Sequence, residues 1–464
     1  MSATGSGAIA PTFNFSQRVR DGAITSRQLC VFVALALLAL FDGMDTQILA
    51  LMARELTHDL GIPLSSFGAI FSSGLFGAMA GALMLSAPAD DWFGRKRVLI
   101  VAMVMAGLLT LLTARVTTFS QLIALRFFVG VGLGGAVPNV LSLAAEFSPK
   151  RQSRRVVSYM IAVMPLGALL GGVLAHAIMP SSGWRVLLLV AGAGTLGLAL
   201  LAAAVVPESV QFLVRKKNDQ KRAAAAVRKL FPESDIGSVV VEQEAGLHAG
   251  QRRQPIKALF KLGYWRLTLL LWIVYAMTQS IMYFIMSWVP VLLQKSGLDP
   301  AMTMNAVAMF GVGGAIGTIA QGWITTRFGI YKVMFAEILT YSVGMVILSG
   351  MLGNPEVVTF MMFLVSVVIS AFFAGLNLLI AESYPEDIRS TAFGWAFGIG
   401  RVGASGAPIL VGLLVGIGWS PGSLFSAAAV PGIVAALTLT GVGFVHARRA
   451  RSKDVDLGAI SAAE

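Results

Sequence analysis

The sequence has very little cysteine and very little charge. Its single cysteine, Cys30, has no second thiol with which to form an internal disulfide or a structural metal site. Charged residues make up 12% of the 464 residues, whereas soluble domains carry about 25%. A chain with so few charges cannot cover a water-facing surface, which argues against a soluble globular domain.

Apolar residues are abundant instead. They make up 56% of the sequence, and the mean hydropathy is +0.78. The 50 glycines show no three-residue period, which excludes a collagen-like chain and suits helices that pack closely in lipid. A membrane-spanning helix needs roughly 20 apolar residues. Twelve such runs occur, at residues 29–52, 66–88, 97–115, 118–143, 155–178, 184–206, 266–293, 301–324, 331–352, 356–381, 390–417 and 421–446.

The positions of the basic residues predict how these helices are oriented. All but six of the 35 Lys and Arg residues lie in the N-terminal segment, the loops after even-numbered helices, the central linker and the C-terminal tail. Because cytoplasmic loops are enriched in Lys and Arg, we expect a multi-pass protein of the inner membrane with both termini in the cytoplasm. The same basic residues suit contacts with membrane lipids and not the binding of nucleic acid.

The alternation of polar and apolar stretches divides the chain into five parts. The N-terminal segment has no short apolar core followed by a cleavage site, so we expect a cytoplasmic leader and not a removable signal. The central polar stretch could hold only a marginal core, and its Ala-rich runs favour short amphipathic helices near the membrane surface. The predicted parts are a leader (1–28), a six-helix bundle (29–206), a cytoplasmic linker (207–265), a second six-helix bundle (266–446) and a cytoplasmic tail (447–464).

Two pairs of similar segments indicate an internal duplication. The loops around Gly94 and Gly329 share a pattern, and these glycines are 235 residues apart. The helix ends around Glu146 and Glu382 also match, at an offset of 236 residues. Two matches at nearly one offset predict an all-α membrane protein with twelve transmembrane helices in two pseudo-symmetric six-helix bundles. Such repeats place a substrate site near the membrane midplane between the halves.

Two segments of the first half resemble the major facilitator superfamily. Asp91 to Arg97 is similar to its signature loop, although Ala87 stands where the first glycine is usual. The second copy of this loop has Thr326 in place of the aspartate. The glycine-rich run from Arg126 to Gly135 resembles the fourth-helix signature of the same superfamily. The resemblance implies the major facilitator fold.

Further segments resemble the aromatic acid:proton symporter family within that superfamily. Asp42 to Thr46 is similar to its Asp-Gly-x-Asp motif, and Gly394 to Gly403 is similar to its eleventh-helix segment. Pro207 to Ser209 is shared more broadly with sugar-type porters. The resemblance implies secondary active transport: proton-coupled uptake (symport), by alternating access, of an aromatic carboxylate such as a benzoate, hydroxybenzoate, phthalate or phenylpropanoid acid.

Asp42, Asp45 and Arg126 are the candidates for proton coupling. A charge at membrane depth costs about 2.5–3.5 kcal/mol by insertion scales, so such residues need a partner or a function. Asp42 and Asp45 are three residues apart and share a helical face. Two close carboxylates disfavour double ionisation, which suits a proton carrier. We expect Asp45, the deeper of the two, to titrate, with Arg126 in the relay; the alternative is a structural pair neutralised by an arginine or by backbone donors.

Arg401 is the preferred clamp for the substrate carboxylate, and Arg126 is the second candidate. The planar guanidinium can grip a carboxylate through two hydrogen bonds. Arg126 could equally be structural, bonded to carbonyl groups exposed by neighbouring glycines. Aromatic rings, amides and phenols on the seventh, tenth and eleventh helices can stack on the substrate or orient it, although most membrane aromatics only pack or face lipid. The candidates are Gln279, Tyr283, Asn377 and Trp395.

Charged residues at helix ends are candidates for gating. Asp91 can bridge to an arginine or a helix N-terminus and so latch one conformation, while Gly94 permits a tight turn. Arg389 lies seven residues after Glu382 and is its expected partner. The alternative is that these are ordinary turn and helix-end charges that set the topology. The complete set is Asp91, Gly94, Arg95, Arg97, Glu146, Glu382 and Arg389.

The sequence offers no enzyme motif. The glycine-rich run from Gly130 to Gly135 follows no strand, and no phosphate-binding loop with lysine and Ser/Thr is present. We therefore expect a transporter that is driven by an ion gradient and functions as a monomer, with no metal and no cofactor beyond the coupling proton. The residues leave open a proton-coupled carrier or an exporter of another organic acid, such as a dicarboxylate or sugar acid. From a different class, a channel or a sensor also remains open.

Overall fold

Membrane-length apolar runs fold as helices because lipid offers no partners for backbone N–H and C=O groups, and a helix satisfies them internally. The computed structural model describes residues 12–215, 217–232, 238–240, 259–260 and 264–461. Within these ranges, eleven helices are long and apolar enough to cross a membrane. One of them, Arg151–Val205, runs for 55 residues and is broken at Gly183, where φ is +75°. The break divides it into two membrane-crossing helices, so the described chain contains twelve.

The first six membrane helices form the N-terminal half. The first helix begins with a capping box, in which Thr25 Oγ1 accepts a hydrogen bond from the Gln28 N–H at 3.2 Å. The Gln28 side chain accepts one in return from the Thr25 N–H at 2.8 Å. The six helices are α1 (Ser26–Leu51), α2 (Phe67–Pro88), α3 (Arg95–Thr113), α4 (Phe119–Phe147), α5 (150–182) and α6 (184–205).

The last six helices form the C-terminal half and repeat the packing of the first. In the N-terminal half, α1 packs along α5 and α2 along α4; in the C-terminal half the seventh helix packs along the eleventh and the eighth along the tenth. The last helix continues past residue 446, where the sequence predicted its end. The six helices are α7 (Trp265–Lys295), α8 (Pro300–Phe328), α9 (Ile330–Gly350), α10 (Pro355–Ser383), α11 (Glu386–Gly416) and α12 (Pro421–Ala427 and Ala429–Ser461).

The described part of the linker docks on the N-terminal half. The Thr25 hydroxyl donates to the Leu230 carbonyl at 3.1 Å, at the end of the short helix Gln220–Leu230. The buried face of that helix packs against the ends of the membrane helices. A strand, β1 (Thr12–Asn14), pairs in parallel with β2 (Ser238–Val240) in the linker. The sequence predicted short linker helices but not this small sheet.

The two halves meet at one end of the bundle. The Ser72 hydroxyl of α2 donates to the Ser405 carbonyl of α11 at 2.6 Å. The Phe71 ring of α2 packs edge-on against the Trp288 ring of α7, with ring centres 5.8 Å apart. Gly68 lies so near the Pro408 carbonyl that any added side-chain carbon would collide with it. We call this end of the bundle the closed end.

At the other end the same helix faces are exposed. Leu83 follows Ser72 by eleven residues and Phe397 precedes Pro408 by eleven, and eleven residues make about three turns of a helix. Leu83 is 73% exposed and Phe397 is 39% exposed. The faces of α2 and α11 that touch at the closed end therefore diverge here, and we call this the open end.

Candidate functional site

We call the space between the two halves the seam. On its N-terminal side, α1 and α4 bring an aspartate and an arginine together. One Arg126 nitrogen, Nη1, lies 3.3 Å from Asp45 Oδ1 and 3.4 Å from Asp45 Oδ2. The other, Nη2, donates to Thr113 Oγ1 at the end of α3 at 3.3 Å. Arg126 is 3% exposed, and its Nε has no partner in the described part of the chain. The geometry is that of a buried ion pair, in which each charge compensates the other.

Asp42, one helical turn earlier, has different surroundings. Its side chain faces a small apolar cavity between α1, α3, α4 and α5. Among the described residues its carboxyl group accepts no hydrogen bond, and the charges that act on it are those of Asp45 and Arg401. Between the two aspartates, Gly43 lies against the Met164 carbonyl of α5, where any side chain would collide. The Asp-Gly-x-Asp pattern thus gives one ion-paired carboxylate and one in an apolar environment. The residues that line the cavity are Leu38, Ala39, Asp42, Met103, Ala136, Val137, Val140, Leu141, Met160 and Met164.

On the C-terminal side of the seam, Arg401 of α11 lies next to aromatic rings. Its Nη1 donates to the Tyr283 hydroxyl of α7 at 3.3 Å, and its guanidinium carbon lies 4.9 Å from the centre of the Phe397 ring. Among the described residues, no carboxylate forms an ion pair with Arg401. The charge of Arg401 acts on Asp42 only at longer range. A cation at this depth that forms no direct ion pair is a suitable receptor for a ligand carboxylate.

An aromatic cluster extends from Arg401 to the tenth helix. The Tyr275 ring packs edge-on against Phe373 of α10 at 5.7 Å and against Phe397 of α11 at 6.4 Å between ring centres. The Tyr275 hydroxyl donates to Asn377 Oδ1 at 3.3 Å. Helices α7 and α11 come this close because Gly400 lies beneath Tyr275, where an added carbon would be 2.5 Å from the ring. Rings and polar groups from three helices therefore converge near one cation.

The predicted substrate residues are only partly brought together. Gln279 is buried and, like Tyr275, borders Gly400 of α11, so it belongs to the same group as Tyr283 and Asn377. Trp395 does not: it stacks on Trp272 of α7, with ring centres 6.0 Å apart and an interplanar angle of 29°. The structure thus separates Trp395 from the Arg401 group, although both lie on α11.

At the open end of the N-terminal half, Glu146 connects three segments of the chain. Its Oε2 lies 3.1 Å from Arg95 Nη1 and accepts a hydrogen bond from Ser209 Oγ at 2.7 Å. Its Oε1 accepts one from the Gln211 N–H at 3.0 Å. Glu208 accepts a hydrogen bond from the Lys96 N–H at 2.9 Å. These contacts tie α3, α4 and the segment after α6 into one cluster, which we call the N-terminal latch: Arg95, Lys96, Glu146, Glu208 and Ser209.

Gly94 fits the N-terminal latch for two reasons. Its φ is +94°, a conformation that residues with a side chain rarely adopt. In addition, an added side-chain carbon would lie 2.6 Å from Glu208 Oε2. Arg97 is exposed at the beginning of α3, and the side chain of Asp91 lies outside the described residues.

The C-terminal half has no equivalent latch among its described residues. Glu382 is exposed, and the expected Glu382–Arg389 ion pair is not formed there. Arg389 Nε instead donates to the Tyr384 carbonyl oxygen at 3.4 Å. Gly329 has a φ of +88°, like Gly94, but no atom lies within 4 Å of the position that its side chain would occupy. In the described conformation Arg389 therefore binds a backbone carbonyl group and not Glu382.

Sequence reasoning did not single out several residues of these groups. Thr113, whose hydroxyl accepts a hydrogen bond from Arg126 Nη2, has no sequence signal beyond its position at a helix end. Phe397 was not named among the candidates, although it lies four residues before Arg401 on one helix, a spacing that places the ring beside the guanidinium. Glu208 and Ser209 were part of a known motif, but their partners are far away along the chain.

Twelve helices in two matching halves, with charged and aromatic residues on facing helices, define a membrane transporter. The family model of the Major Facilitator Superfamily matches residues 35–349 and 271–459. The chain belongs to the major facilitator superfamily, and it is a transporter and not an enzyme.

Individual relatives and one solved structure agree with this assignment. The chain is 30% identical to the 4-hydroxybenzoate transporter PcaK of Acinetobacter baylyi over 422 residues, which cover 91% of this chain and 92% of that protein. It is 31% identical to a gallate transporter of Pseudomonas putida over 425 residues, with 92% and 93% covered. A crystal structure of a D-xylose-proton symporter superposes with a TM-score of 0.71 at 17% identity, covering 89% of this chain and 97% of that one. The last similarity shows the shared fold alone.

Proposed function

We propose that this protein takes up an aromatic carboxylate together with a proton. The observation that carries the proposal is the environment of Arg401, which has aromatic neighbours and, in the described part of the chain, no carboxylate partner. A guanidinium in this setting favours an anion that also has an aromatic ring. The similarity to proteins named for 4-hydroxybenzoate and gallate supports a substrate of this kind.

In the proposed complex, Arg401 holds the substrate carboxylate and the Tyr283 hydroxyl helps to orient the guanidinium. The substrate ring then lies against Phe397 and Tyr275, whose rings are already arranged edge to face. Gln279 borders the same space on α7. Such a site combines one charged anchor with mostly apolar walls, as small-molecule sites usually do.

Asn377 is the proposed hydrogen-bond partner of a hydroxyl group on the substrate ring. The Tyr275 hydroxyl occupies Asn377 Oδ1, which leaves the amide N–H groups of Asn377 and the oxygen of Tyr275 to bind a ligand. Asn377 is half-buried, so part of its surface is accessible. A hydroxyl on the substrate ring, remote from the carboxylate, would find both a donor and an acceptor here.

The proposed proton carriers are Asp42 and Asp45. The sequence analysis preferred Asp45 to Asp42 as the titrating residue because Asp45 lies deeper in the membrane. The contacts favour Asp42 as the residue that carries the proton, because Asp45 has a cation beside it and Asp42 faces an apolar cavity. A carboxyl group without hydrogen-bond donors is easier to accommodate there as a neutral acid. Arg126 would then link the two aspartates to the seam through its pairing with Asp45.

Alternating access follows if the open end faces the cytoplasm. The open end carries the loops after α2 and α8 and most of the basic residues, which the positive-inside rule assigns to the cytoplasm. The described conformation would then open inward, with the external side closed by the contacts of Ser72 with Ser405 and of Phe71 with Trp288. Both termini would lie on the cytoplasmic side of the inner membrane, and a single chain would suffice for transport.

Proteoliposomes containing the purified protein test the proposal. An inward proton gradient should drive accumulation of 4-hydroxybenzoate, gallate or benzoate, and a protonophore should abolish it. Succinate and gluconate serve as matched non-aromatic acids and should compete weakly. Accumulation that survives the protonophore, or flux that rises in proportion to concentration without saturating, would contradict a symporter. Preference for the non-aromatic acids would contradict the proposed substrate.

A further inference from the structure

A buried acid outside the seam connects two helices of the C-terminal half. Glu337 of α9 is 9% exposed and Gln321 of α8 is 2% exposed. Gln321 precedes Gly329 by eight residues and Glu337 follows it by eight. At 1.5 Å per residue, both lie about 12 Å along their helices from this loop. The pair is therefore well inside the apolar layer, where a charge is costly.

The hydrogen bonds of this pair are incomplete if Glu337 is ionised. Gln321 Nε2 donates to Glu337 Oε2 at 3.2 Å. Gln321 Oε1 is buried and has no donor in the described part of the chain. An ionised carboxylate has no proton to give, so it leaves this amide oxygen unsatisfied. A protonated carboxyl group is the donor that the amide oxygen lacks.

The groups that face the pair from neighbouring helices carry no charge. From α10 the facing residue is Gly375, so near Gln321 Nε2 that any added side-chain carbon would collide with it. On α9 itself, one turn further along, the Tyr341 hydroxyl already donates to the Ala428 carbonyl oxygen at 3.0 Å. Neither residue can replace the missing donor.

Charged residues of this half lie elsewhere. Glu382 acts on Tyr331, near the open end, and His446 of α12 also packs against the Tyr331 ring, at 6.0 Å. Arg327 of α8 is exposed and lies over the Trp323 ring. Within the described residues, no charged side chain acts on Glu337. An ionised Glu337 would thus have neither a countercharge nor a second hydrogen bond.

We infer that Glu337 is a proton-binding site, held as a neutral acid that forms a closed pair of hydrogen bonds with Gln321. The carboxyl O–H donates to Gln321 Oε1 while Gln321 Nε2 donates to the other carboxyl oxygen. This pair ties α8 to α9 at a depth where the apolar surroundings strengthen both bonds. The proton comes from water and no other bond changes. Positions 102 and 86, which the 235-residue offset between Gly94 and Gly329 relates to Glu337 and Gln321, are Ala102 and Ser86, so the N-terminal half has no such acid–amide pair.

The inference predicts how stability depends on pH. The neutral acid makes two hydrogen bonds and the ionised form makes one, so the contribution is present at low pH and is lost as the pH rises and Glu337 ionises. Between about pH 5.5 and about pH 9, the wild-type Tm in detergent should fall by roughly 2–4 °C more than that of Glu337→Gln. The new amide can make both hydrogen bonds without a proton. Glu337→Gln should therefore match the wild-type Tm at the acidic end.

Two controls make the test decisive. Glu382→Gln removes an exposed carboxylate from the same half and should keep the wild-type pH dependence. Infrared spectra at neutral pH should show a protonated-carboxyl C=O band that Glu337→Gln loses and Glu382→Gln retains. The same pH dependence in the wild type and in Glu337→Gln, a missing band, or failure of Glu337→Gln to fold would each overturn the inference. Because Glu337 lies outside the proposed substrate and proton sites, these results do not depend on whether the proposed transport is found.

Discussion

The two halves of this transporter share a helical plan but differ in where their charged residues lie. At the open end of the N-terminal half, Glu146 binds Arg95 and Ser209 in a latch that joins three segments. At the corresponding end of the C-terminal half, Glu382 is exposed, and the buried acid is Glu337, deep between α8 and α9. Duplication thus preserved the backbone while the side chains diverged. We read the N-terminal half as the side that carries the proton and the C-terminal half as the side that holds the substrate.

The largest effect should come from Arg401→Ala, which removes the proposed substrate anchor of the C-terminal half. Truncating one partner of a buried charge pair costs about 2–5 kcal/mol, so we expect substrate affinity to fall about 30-fold or more. Titration of 4-hydroxybenzoate by thermal shift measures this. Arg327→Ala, an exposed arginine of the same half, should bind as the wild type does. Equal affinity in both variants would remove Arg401 from the site.

Substitution of Glu146 in the N-terminal latch should cost more stability than substitution of Glu382 at the matching position of the C-terminal half. Glu146→Gln removes the charge from a carboxylate that is 8% exposed and has three donors, which should cost about 2 kcal/mol. Glu382→Gln, at the matching position, is exposed and should change stability by less than about 0.5 kcal/mol. Thermal unfolding of the two variants measures the difference. A larger loss in Glu382→Gln would reverse the comparison between the halves.

A smaller effect concerns discrimination between substrates. Asn377→Leu should weaken binding of 4-hydroxybenzoate about tenfold, since a hydrogen bond to the ring hydroxyl is worth about 1 kcal/mol or somewhat more. Benzoate, which lacks the hydroxyl, should bind about equally well to both proteins. Competition assays with the two acids provide the ratio. An equal loss for both acids would assign Asn377 to packing alone.

The smallest effect should separate the two loop glycines. Alanine at either position meets backbone strain of about 1–3 kcal/mol, because φ is +94° at Gly94 and +88° at Gly329. Only Gly94→Ala also pushes against Glu208, so it should be the more destabilising change, by about 1 kcal/mol. Thermal unfolding checks this. A more damaging Gly329→Ala would show that the C-terminal loop has contacts of its own.

Most of the fold could be predicted from the sequence because each helix is encoded locally, in an apolar run long enough to cross a membrane. The break between α5 and α6 was predicted near residue 183, and the helix indeed breaks at Gly183. The pairing of β1 with β2 was not predicted, because strands of three residues more than 220 positions apart leave no periodic signal. The docking of the linker helix is likewise a tertiary contact that composition does not encode.

The candidate site was predictable at the level of charge but not of contacts. An isolated charge in a membrane helix is conspicuous, which is why Asp42, Asp45, Arg126 and Arg401 could be recognised. Which groups pair is decided by how helices rotate and approach one another. The sequence therefore offered Arg389 as a partner for Glu382. In the structure, Arg389 instead donates a hydrogen bond to the Tyr384 carbonyl oxygen. Glu337 meets the same criterion, since it lies within the predicted membrane helix 331–352, and it was overlooked; what the sequence does not show is its contact with Gln321.

The division of roles between the halves is tested most directly by Asp42→Asn in proteoliposomes. The account predicts that exchange of 4-hydroxybenzoate across the membrane continues at close to the wild-type rate, because the substrate group around Arg401 is intact. Accumulation driven by an inward proton gradient should disappear, because the N-terminal half can no longer carry the proton. Full gradient-driven accumulation by Asp42→Asn, and by Asp45→Asn measured beside it, would contradict the account.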